Sequence, residues 1–369
     1  MKRFVPRLVL AGFVFIVAPI LCVADTVYFR EPGKKTDSSV DGKIAEESPA
    51  GIKVKTKAGL KEIEALSITQ VVYESKDVAR ADFKKPDVDF SKGLAQTRPE
   101  KRASDLSSAI AGFQEVDAKL KDMPQVHRYC QYRIAQVMTE QAKNDPARRD
   151  AAIAVLKDNR KVFADGWEIV PALQLLARLQ EEKGDTEAAG KAYSDLAELP
   201  GISAAMKLDS QLRGARLLLS ANKFPDAESK LKEVAVAMPA DDPQRAQVDV
   251  YLAQSQIAQE HLDGIEKKLK DAISANEDKK LRALAHNALG DYYRAKKDME
   301  RAFWEYLKVE TMYDVDREEQ AKALYWLSKL FDQPKNDLGR AEECLTKLQG
   351  QRFDGTSYQR KAANKKKTP

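Results

Sequence analysis

The sequence predicts a mostly α-helical protein, an α-solenoid of antiparallel helix hairpins, preceded by a small all-β module. Residues 286–309 read as two amphipathic helices joined by the turn Lys296-Lys297-Asp298, and helices joined this tightly must lie antiparallel. Copies of this hairpin recur between residues 103 and 350, as they must, because one hairpin cannot bury its apolar face alone. Residues 25–76 have a different pattern, with the period of two that is typical of strands.

The first 24 residues predict a cleaved signal peptide. A basic start at Lys2, Arg3 and Arg7 precedes the apolar run 8–23, and small residues stand before Asp25. The run of about 16 residues is shorter than the ~20 needed to span a bilayer, which favours cleavage over an uncleaved N-terminal membrane anchor, the alternative. The sequence therefore predicts an exported protein of the periplasm or cell envelope.

The positive charge lies at the two ends of the chain. The formal net charge is +5, and it falls to +2 without the three basic residues of the leader. The last ten residues hold five further basic residues and no acid, so the body between the ends carries −3. We therefore expect no nucleic-acid binding by a broad basic face.

Residues 25–76 predict about five short strands separated by polar turns. The strands are expected at 26–29, 42–48, 51–55, 61–66 and 68–73, and one of the turns at Asp41-Gly42. This number of strands in fifty residues is similar to small SH3-like or Sm-like barrels. Residues 77–102 are charged, contain Pro86 and Pro99, and are interpreted as a linker with room for one short helix near 90–95.

A helical repeat domain of about six to seven units is predicted at 103–350. The second helix of each clear unit has a small or apolar anchor, and the anchors follow one another at steps of 37 to 39 residues. These anchors are Ala189, Ala227, Ile265, Ala302 and Ala341. Four and seven residues after each anchor the chain is always apolar, which places one continuous face of each helix against its neighbours.

The repeats resemble the tetratricopeptide repeat (TPR) family. The match is best at 283–314, where Leu289-Gly290-x-x-Tyr293 and Ala302-x-x-x-Tyr306 follow the family pattern. Gly290 is interpreted as the residue at which the two helices cross closely. The resemblance implies the fold and a protein or peptide partner. It covers roughly 220 residues, and two weaker units precede the clear ones. Residues 351–369 turn polar and then basic, and are predicted to be a disordered basic tail.

No residue pattern indicates catalysis, a cofactor or a metal. The sequence has no HExxH motif, no phosphate-binding glycine loop and no nucleophile elbow, and its three histidines stand in different hairpins. Cys130 and Cys344 are expected to be small buried residues, with no disulfide between them. We expect a protein that is not an enzyme and that carries no cofactor.

The TPR resemblance implies that the first helices line a concave groove where partners bind. Two rows of outward positions follow from it. The first row is Arg178, Arg216, Gln254 and Asp291, and the second is Gln174, Leu212, Val250 and Asn287. The polar members of both rows are the candidate partner-binding residues. The Lys and Asn pattern by which some TPR proteins hold a peptide carboxylate is absent from these rows.

The sequence thus predicts a non-catalytic interaction scaffold of the bacterial cell envelope that binds a protein or peptide through its concave face. The alternative is a structural envelope spacer. In that alternative the β module and the basic tail anchor the ends, and the tail makes a peripheral contact with anionic lipid or cell wall.

Overall fold

A computed structural model describes residues 24–143, 145–239 and 241–365. The predicted signal peptide, 1–24, lies outside these ranges except for Ala24, as do the last four residues of the predicted tail. The described chain consists of a five-stranded antiparallel sheet followed by a long array of helices.

The β module is one antiparallel sheet with the strand order β4-β3-β2-β1-β5. Its strands are β1 (Asp25–Phe29), β2 (Ser38–Ser48), β3 (Gly51–Thr56), β4 (Gly59–Glu64) and β5 (Ile68–Val72), with a 3-10 turn at Ala65–Ser67. Apolar side chains such as Val27, Val54 and Val71 are fully buried, as the period-two pattern predicts. The predicted all-β module is confirmed as a sheet of five strands.

The turn predicted at Asp41-Gly42 is wrong, because both residues lie inside the long strand β2. A Cβ added at Gly42 would lie 2.5 Å from the carbonyl oxygen of Lys55 on β3. Glycine is needed here because the backbones of the two strands approach closely and leave no room for a side chain.

The helices begin at Arg80 and continue to the end of the described chain. They are α1 (Arg80–Ala95), α2 (Pro99–Lys119), α3 (Pro124–Gln141), α4 (Pro146–Asp158), α5 (Arg160–Phe163), α6 (Ile169–Lys183), α7 (Thr186–Ala197), α8 (Ala204–Ser220), α9 (Phe224–Ala237), α10 (Arg245–Ala258), α11 (Ile265–Ala275), α12 (Lys279–Ala295), α13 (Met299–Met312), α14 (Arg317–Asp332), α15 (Leu338–Leu348) and α16 (Ser357–Lys365).

These helices pair into seven hairpins in the described chain. The first helices of the hairpins are α1, α3, α6, α8, α10, α12 and α14, and each packs against the second helix that follows it. Aspartates cap four of these seven second helices, α4, α7, α13 and α15; for example, the Asp298 carboxylate accepts a hydrogen bond from the Arg301 backbone N–H at 3.0 Å. The predicted helical repeat array is confirmed.

The predicted linker at 77–102 is largely helical in the structure. It contains α1, which forms the first hairpin with α2 and buries Phe83 and Phe90. A Cβ added at Gly112 on α2 would lie 2.8 Å from Cγ of Pro86, so the two helices are in close contact at that point. Apart from the buried Asp87, the charged side chains of α1 are exposed or half-buried, and tertiary packing therefore outweighs the polar composition of this segment.

The segment predicted as a disordered tail also differs in the structure. Residues 351–353 form a 3-10 turn, and α16 packs on α14. The backbone N–H of Ser357 donates to the Glu318 carboxylate at 3.0 Å, and Thr356 and Ala362 are buried. This helix covers the exposed side of the last hairpin, as the end of a repeat array requires.

The apolar side chains form two separate cores. One runs from the β module through α7 and includes Leu217 of α8. The other begins at Leu212 and Ala215 of the same helix and continues to Ala362 in α16. Helix α8 therefore contributes to both cores.

The crossing of α12 and α13 confirms the interpretation of Gly290. A Cβ added at Gly290 would lie 2.6 Å from Cε1 of the Tyr306 ring, which is fully buried. We therefore expect Gly290→Ala to lower the free energy of unfolding by about 1–2 kcal/mol, because overpacking outweighs the gain in helix propensity. Urea unfolding measures the change. The matched control is Gly190→Ala on α7, where an added Cβ meets nothing within 4 Å and alanine should stabilise by about 0.5–1 kcal/mol. Equal effects of the two substitutions would contradict the close crossing.

A buried ionic cluster holds the β module against the helices. Arg128 on α3 pairs with Glu47 on β2, and its Nε lies 3.3 Å from Oε2 of Glu168, directly before α6. The Glu168 side chain is fully buried, and those of Arg128 and Glu47 are 12% and 9% exposed. Gly166 leaves the space for this pair, since an added Cβ would contact both Glu168 and Arg128. Glu47, Arg128 and Glu168 are called the junction cluster below.

A second buried ion pair lies between the first two hairpins. Arg133 on α3 pairs with Asp87 on α1, and the Tyr129 hydroxyl donates to the same carboxylate at 2.7 Å. Gln70 on β5 also donates to Asp87, at 3.1 Å. The β module is therefore fixed to the first two hairpins by hydrogen bonds as well as by apolar contact.

Candidate functional site

One concave surface of the described chain is a groove with a volume of about 1420 Å³. It is lined by the first helices α6, α8, α10, α12 and α14 and by the C-terminal helix α16. Helices α6 and α8 contribute residues near their C-terminal ends, whereas α14 and α16 contribute residues near their N-terminal ends. The groove therefore crosses the array diagonally and spans five hairpins.

All four members of the first predicted row line this groove. They are Arg178, Arg216, Gln254 and Asp291, one from each of four successive first helices. The side chains of Arg178 and Arg216 are 57% and 40% exposed, so both guanidinium groups are accessible from the groove. The structure brings the row together as the repeat spacing predicts, while its role in partner binding stays a prediction.

Asp291 is already engaged within the protein. One carboxylate oxygen accepts from the Tyr306 hydroxyl at 2.6 Å, and the other lies 2.5 Å from Nζ of Lys322. Burial lowers the pKa of the Lys322 ammonium, but the negative charge of Asp291 raises it by more. The pKa of Lys322 therefore lies well above its usual value. Asp291 thus connects α12, α13 and α14 at the base of the groove and has little capacity left for a partner.

The second predicted row lies away from the groove. Asn287 is fully buried, and its amide donates to the Glu319 backbone carbonyl at 2.8 Å and to the Glu319 carboxylate at 2.7 Å. Leu212 and Val250 are buried as well, whereas Gln174 is half-buried and does not line the groove. These positions face the contacts between neighbouring helices, one turn away from the first row.

Several groove residues were not predicted from the sequence. Trp326 lines the groove and is covered by the Arg294 guanidinium, whose Cζ lies 3.2 Å from the ring centroid. Arg360 and Lys361 reach the groove from α16, which the sequence pattern predicted to be disordered. The basic composition of this segment is the sequence feature that could have indicated a role for it in the groove.

The placement of α16 bears on the envelope-spacer alternative. That alternative uses a free basic tail, but Arg360 and Lys361 lie in the groove on a helix docked against α14. Two of the five basic residues are thus turned towards the protein itself. Arg360 and Lys361 therefore belong to the lining of the groove and not to a free tail.

Other kinds of site have little support in the described ranges. Within them, no three His, Cys, Asp or Glu side chains cluster as metal ligands. Cys130 and Cys344 are both free and buried, as expected, and burial raises the pKa of each thiol. None of the helices in residues 24–143, 145–239 and 241–365 has the length and apolar composition needed to cross a membrane.

Comparison with known proteins identifies the fold. A tetratricopeptide repeat protein from Parabacteroides merdae matches with a TM-score of 0.53 and 16% identity, covering 76% of this chain and 100% of that one. The apo form of the quorum sensor NprR from B. thuringiensis matches with a TM-score of 0.48 and 17% identity, over 73% and 77% of the two chains. No protein-family model and no curated protein matches the sequence. The chain therefore has a TPR-like repeat fold behind a five-stranded sheet.

Proposed function

We propose that the protein is a non-catalytic scaffold that binds a protein or peptide partner in the groove. The observation that carries the proposal is the alignment of Arg178, Arg216 and Gln254 along one surface built by successive first helices. A volume of about 1420 Å³ exceeds the ~300–1,000 Å³ typical of small-molecule pockets, and it suits a segment of polypeptide. The TPR-like fold supports the same conclusion, because such arrays present extended concave surfaces to partners.

We also propose that the protein is located in the bacterial cell envelope. The basic and apolar leader of the sequence supports export to a bacterial cell envelope, where the scaffold would meet its partner. N-terminal sequencing of the protein isolated from cells tests this step. A mature chain that begins at Asp25 and fractionates with the envelope supports it, and a chain that retains Met1 in the cytosolic fraction overturns it.

The groove is tested by the double substitution Arg178→Glu and Arg216→Glu. We expect at least a tenfold loss of affinity for a partner captured from envelope extracts, because both exposed cations are inverted. The control is Lys267→Glu with Lys268→Glu on α11, two exposed lysines outside the groove that give the same change in net charge. Isothermal titration calorimetry with the captured partner measures both affinities. Equal affinities of the groove variant and the control would overturn the proposal.

A further inference from the structure

We propose that helix α16 is one wall of the binding groove, and that the occupant is an acidic polypeptide segment held between Arg178 and Arg216 on one side and Arg360 and Lys361 on the other. This inference rests on the proposed function and names the chemistry of the partner. It follows from three features of the groove: the anchoring of α16, the approach of α16 to the hairpin of α6 and α7, and the distribution of unpaired charge.

Helix α16 is anchored firmly enough to form a wall. The Glu318 carboxylate accepts the Ser357 backbone N–H, and the Tyr358 ring packs on Tyr325 with their centroids 5.5 Å apart. The Lys361 ammonium lies 5.8 Å from the Trp326 ring centroid and 5.4 Å from that of Tyr325. Cations over aromatic faces are stabilised in this position. The basic side of the helix is therefore held in the groove.

The C-terminal helix also meets the beginning of the groove. A Cβ added at Gly184, in the turn after α6, would lie 3.9 Å from Nε of Arg360. Arg178 and Arg216 stand on the C-terminal turns of α6 and α8, and all of these residues line the same groove. Helix α16 thus approaches the hairpin of α6 and α7, and basic side chains face the groove from both sides.

Most of the acidic groups that line the groove are already engaged; the exception is Glu182, whose contacts with Arg149 and Arg178 are 3.8 Å long. Glu181 accepts the Tyr193 hydroxyl at 3.0 Å and lies 3.1 Å from Arg216. Asp278 and Asp316 cap α12 and α14 through hydrogen bonds from backbone N–H groups. Glu319 accepts a hydrogen bond from the Asn287 amide at 2.7 Å, and burial raises its pKa. Apart from Glu182, each of these carboxylates is directed at the protein rather than at the open groove.

By contrast, four cations of the groove lack a carboxylate partner in the described part of the chain. They are Lys280, Arg317, Arg360 and Lys361. Arg360 donates one N–H to the Gly355 carbonyl at 2.6 Å, which orients the guanidinium and leaves its other donors available. Arg178 has only a long contact of 3.8 Å with Glu182. Guanidinium and ammonium groups placed in this way favour carboxylates of a partner.

A fluorescent probe of defined charge tests the inference. The full mature chain, residues 25–369, is titrated against fluorescein-labelled deca-glutamate, with a neutral Gly-Ser decamer and deca-lysine for comparison, and binding is followed by anisotropy. We expect the protein to bind deca-glutamate and neither of the other two probes. The variant Arg360→Glu with Lys361→Glu should bind deca-glutamate with at least tenfold lower affinity. Arg178→Glu with Arg216→Glu should lose as much, and the control Lys267→Glu with Lys268→Glu should stay within twofold of the unchanged protein.

The neutral pair Arg360→Gln and Lys361→Gln guards against misfolding, because glutamine is polar, is compatible with a helix and removes each charge without inverting it. It should lose at least threefold in affinity while its circular dichroism spectrum stays unchanged. Loss of affinity in the control equal to that of the groove variants would show a net-charge effect and overturn the inference. No binding of deca-glutamate would overturn it as well.

Failure of this inference can be separated from failure of the proposed function. If Arg178→Glu with Arg216→Glu abolishes binding of the captured partner while Arg360→Glu with Lys361→Glu leaves it unchanged, the groove is the binding site and α16 is only a cap. If neither pair changes binding of the captured partner, both the groove and the acidic occupant are wrong.

Discussion

Replacing Arg128 with methionine is expected to lower the free energy of unfolding by about 3–5 kcal/mol, since it leaves the buried Glu47 carboxylate without its cation and removes a hydrogen-bond donor from Glu168. Arg128 is the side chain that pairs with both Glu47 and Glu168. Methionine preserves the apolar stem of the side chain, so the loss reports mainly on charge. The β module should detach from the helices first, because the cluster lies between them.

Urea unfolding at pH 7 measures this loss. The control is Arg30→Met, which removes an arginine of the same module whose side chain is 53% exposed and paired with Asp37. Exposed pairs contribute about 0–1 kcal/mol, so the control should change little. The triple variant Arg128→Met, Glu47→Gln and Glu168→Gln should recover much of the stability. A loss below about 1 kcal/mol for Arg128→Met would mean that water reaches the junction cluster.

The second large effect is a dependence of stability on pH that originates in Glu168. Burial, and then the charge of Glu47, raises the pKa of Glu168 to about 8, with Arg128 opposing the shift. In the unfolded chain the same group titrates near its ordinary value of 4.5. Between these two values the folded protein holds a proton that the unfolded chain has lost. Stability should therefore fall as the pH rises from about 4.5 to 8, by a few kcal/mol, and the contribution should level off above pH 8.

Glu168→Gln isolates this contribution, because an amide mimics the protonated carboxyl at every pH. We expect the variant to be more stable than the unchanged protein at pH 8.5 and about equal to it at pH 4.5. Urea unfolding at half-unit steps of pH gives both curves. Parallel curves for the two proteins would show that Glu168 titrates normally and would contradict the burial argument.

The repeat array was predictable because its signal is periodic. Anchors such as Ala227 and Ala302 recur at nearly constant steps, and the side chains that they contact follow at fixed offsets. Helices α1 and α16 have no such signal. The segment of α1 contains Pro86 and many charges, which is typical of a linker, and the segment of α16 has the composition of a solvated tail. Both helices are stabilised by packing, α1 on α2 and α16 on α14.

The candidate site was predictable only in part, for a geometric reason. Arg178 and Gln174 lie one turn apart on α6, and the sequence alone gave no basis for choosing between the two rows. Which turn faces the groove depends on how each hairpin is rotated against the next, and this rotation is set by contacts such as that of Asn287 with Glu319. The junction cluster could not be found at all, since Glu47, Arg128 and Glu168 are far apart in the chain and follow no motif.

The division of the apolar interior at α8 has a consequence for local unfolding. Two cores that share a single helix can open as two foldons, with the hydrogen-exchange boundary at that helix. The groove crosses this boundary, because Arg178 belongs to the first half and Tyr358 to the second. An occupant that contacts both sides would bind most tightly when both halves are ordered, and it would link two local unfolding equilibria that the empty protein keeps separate.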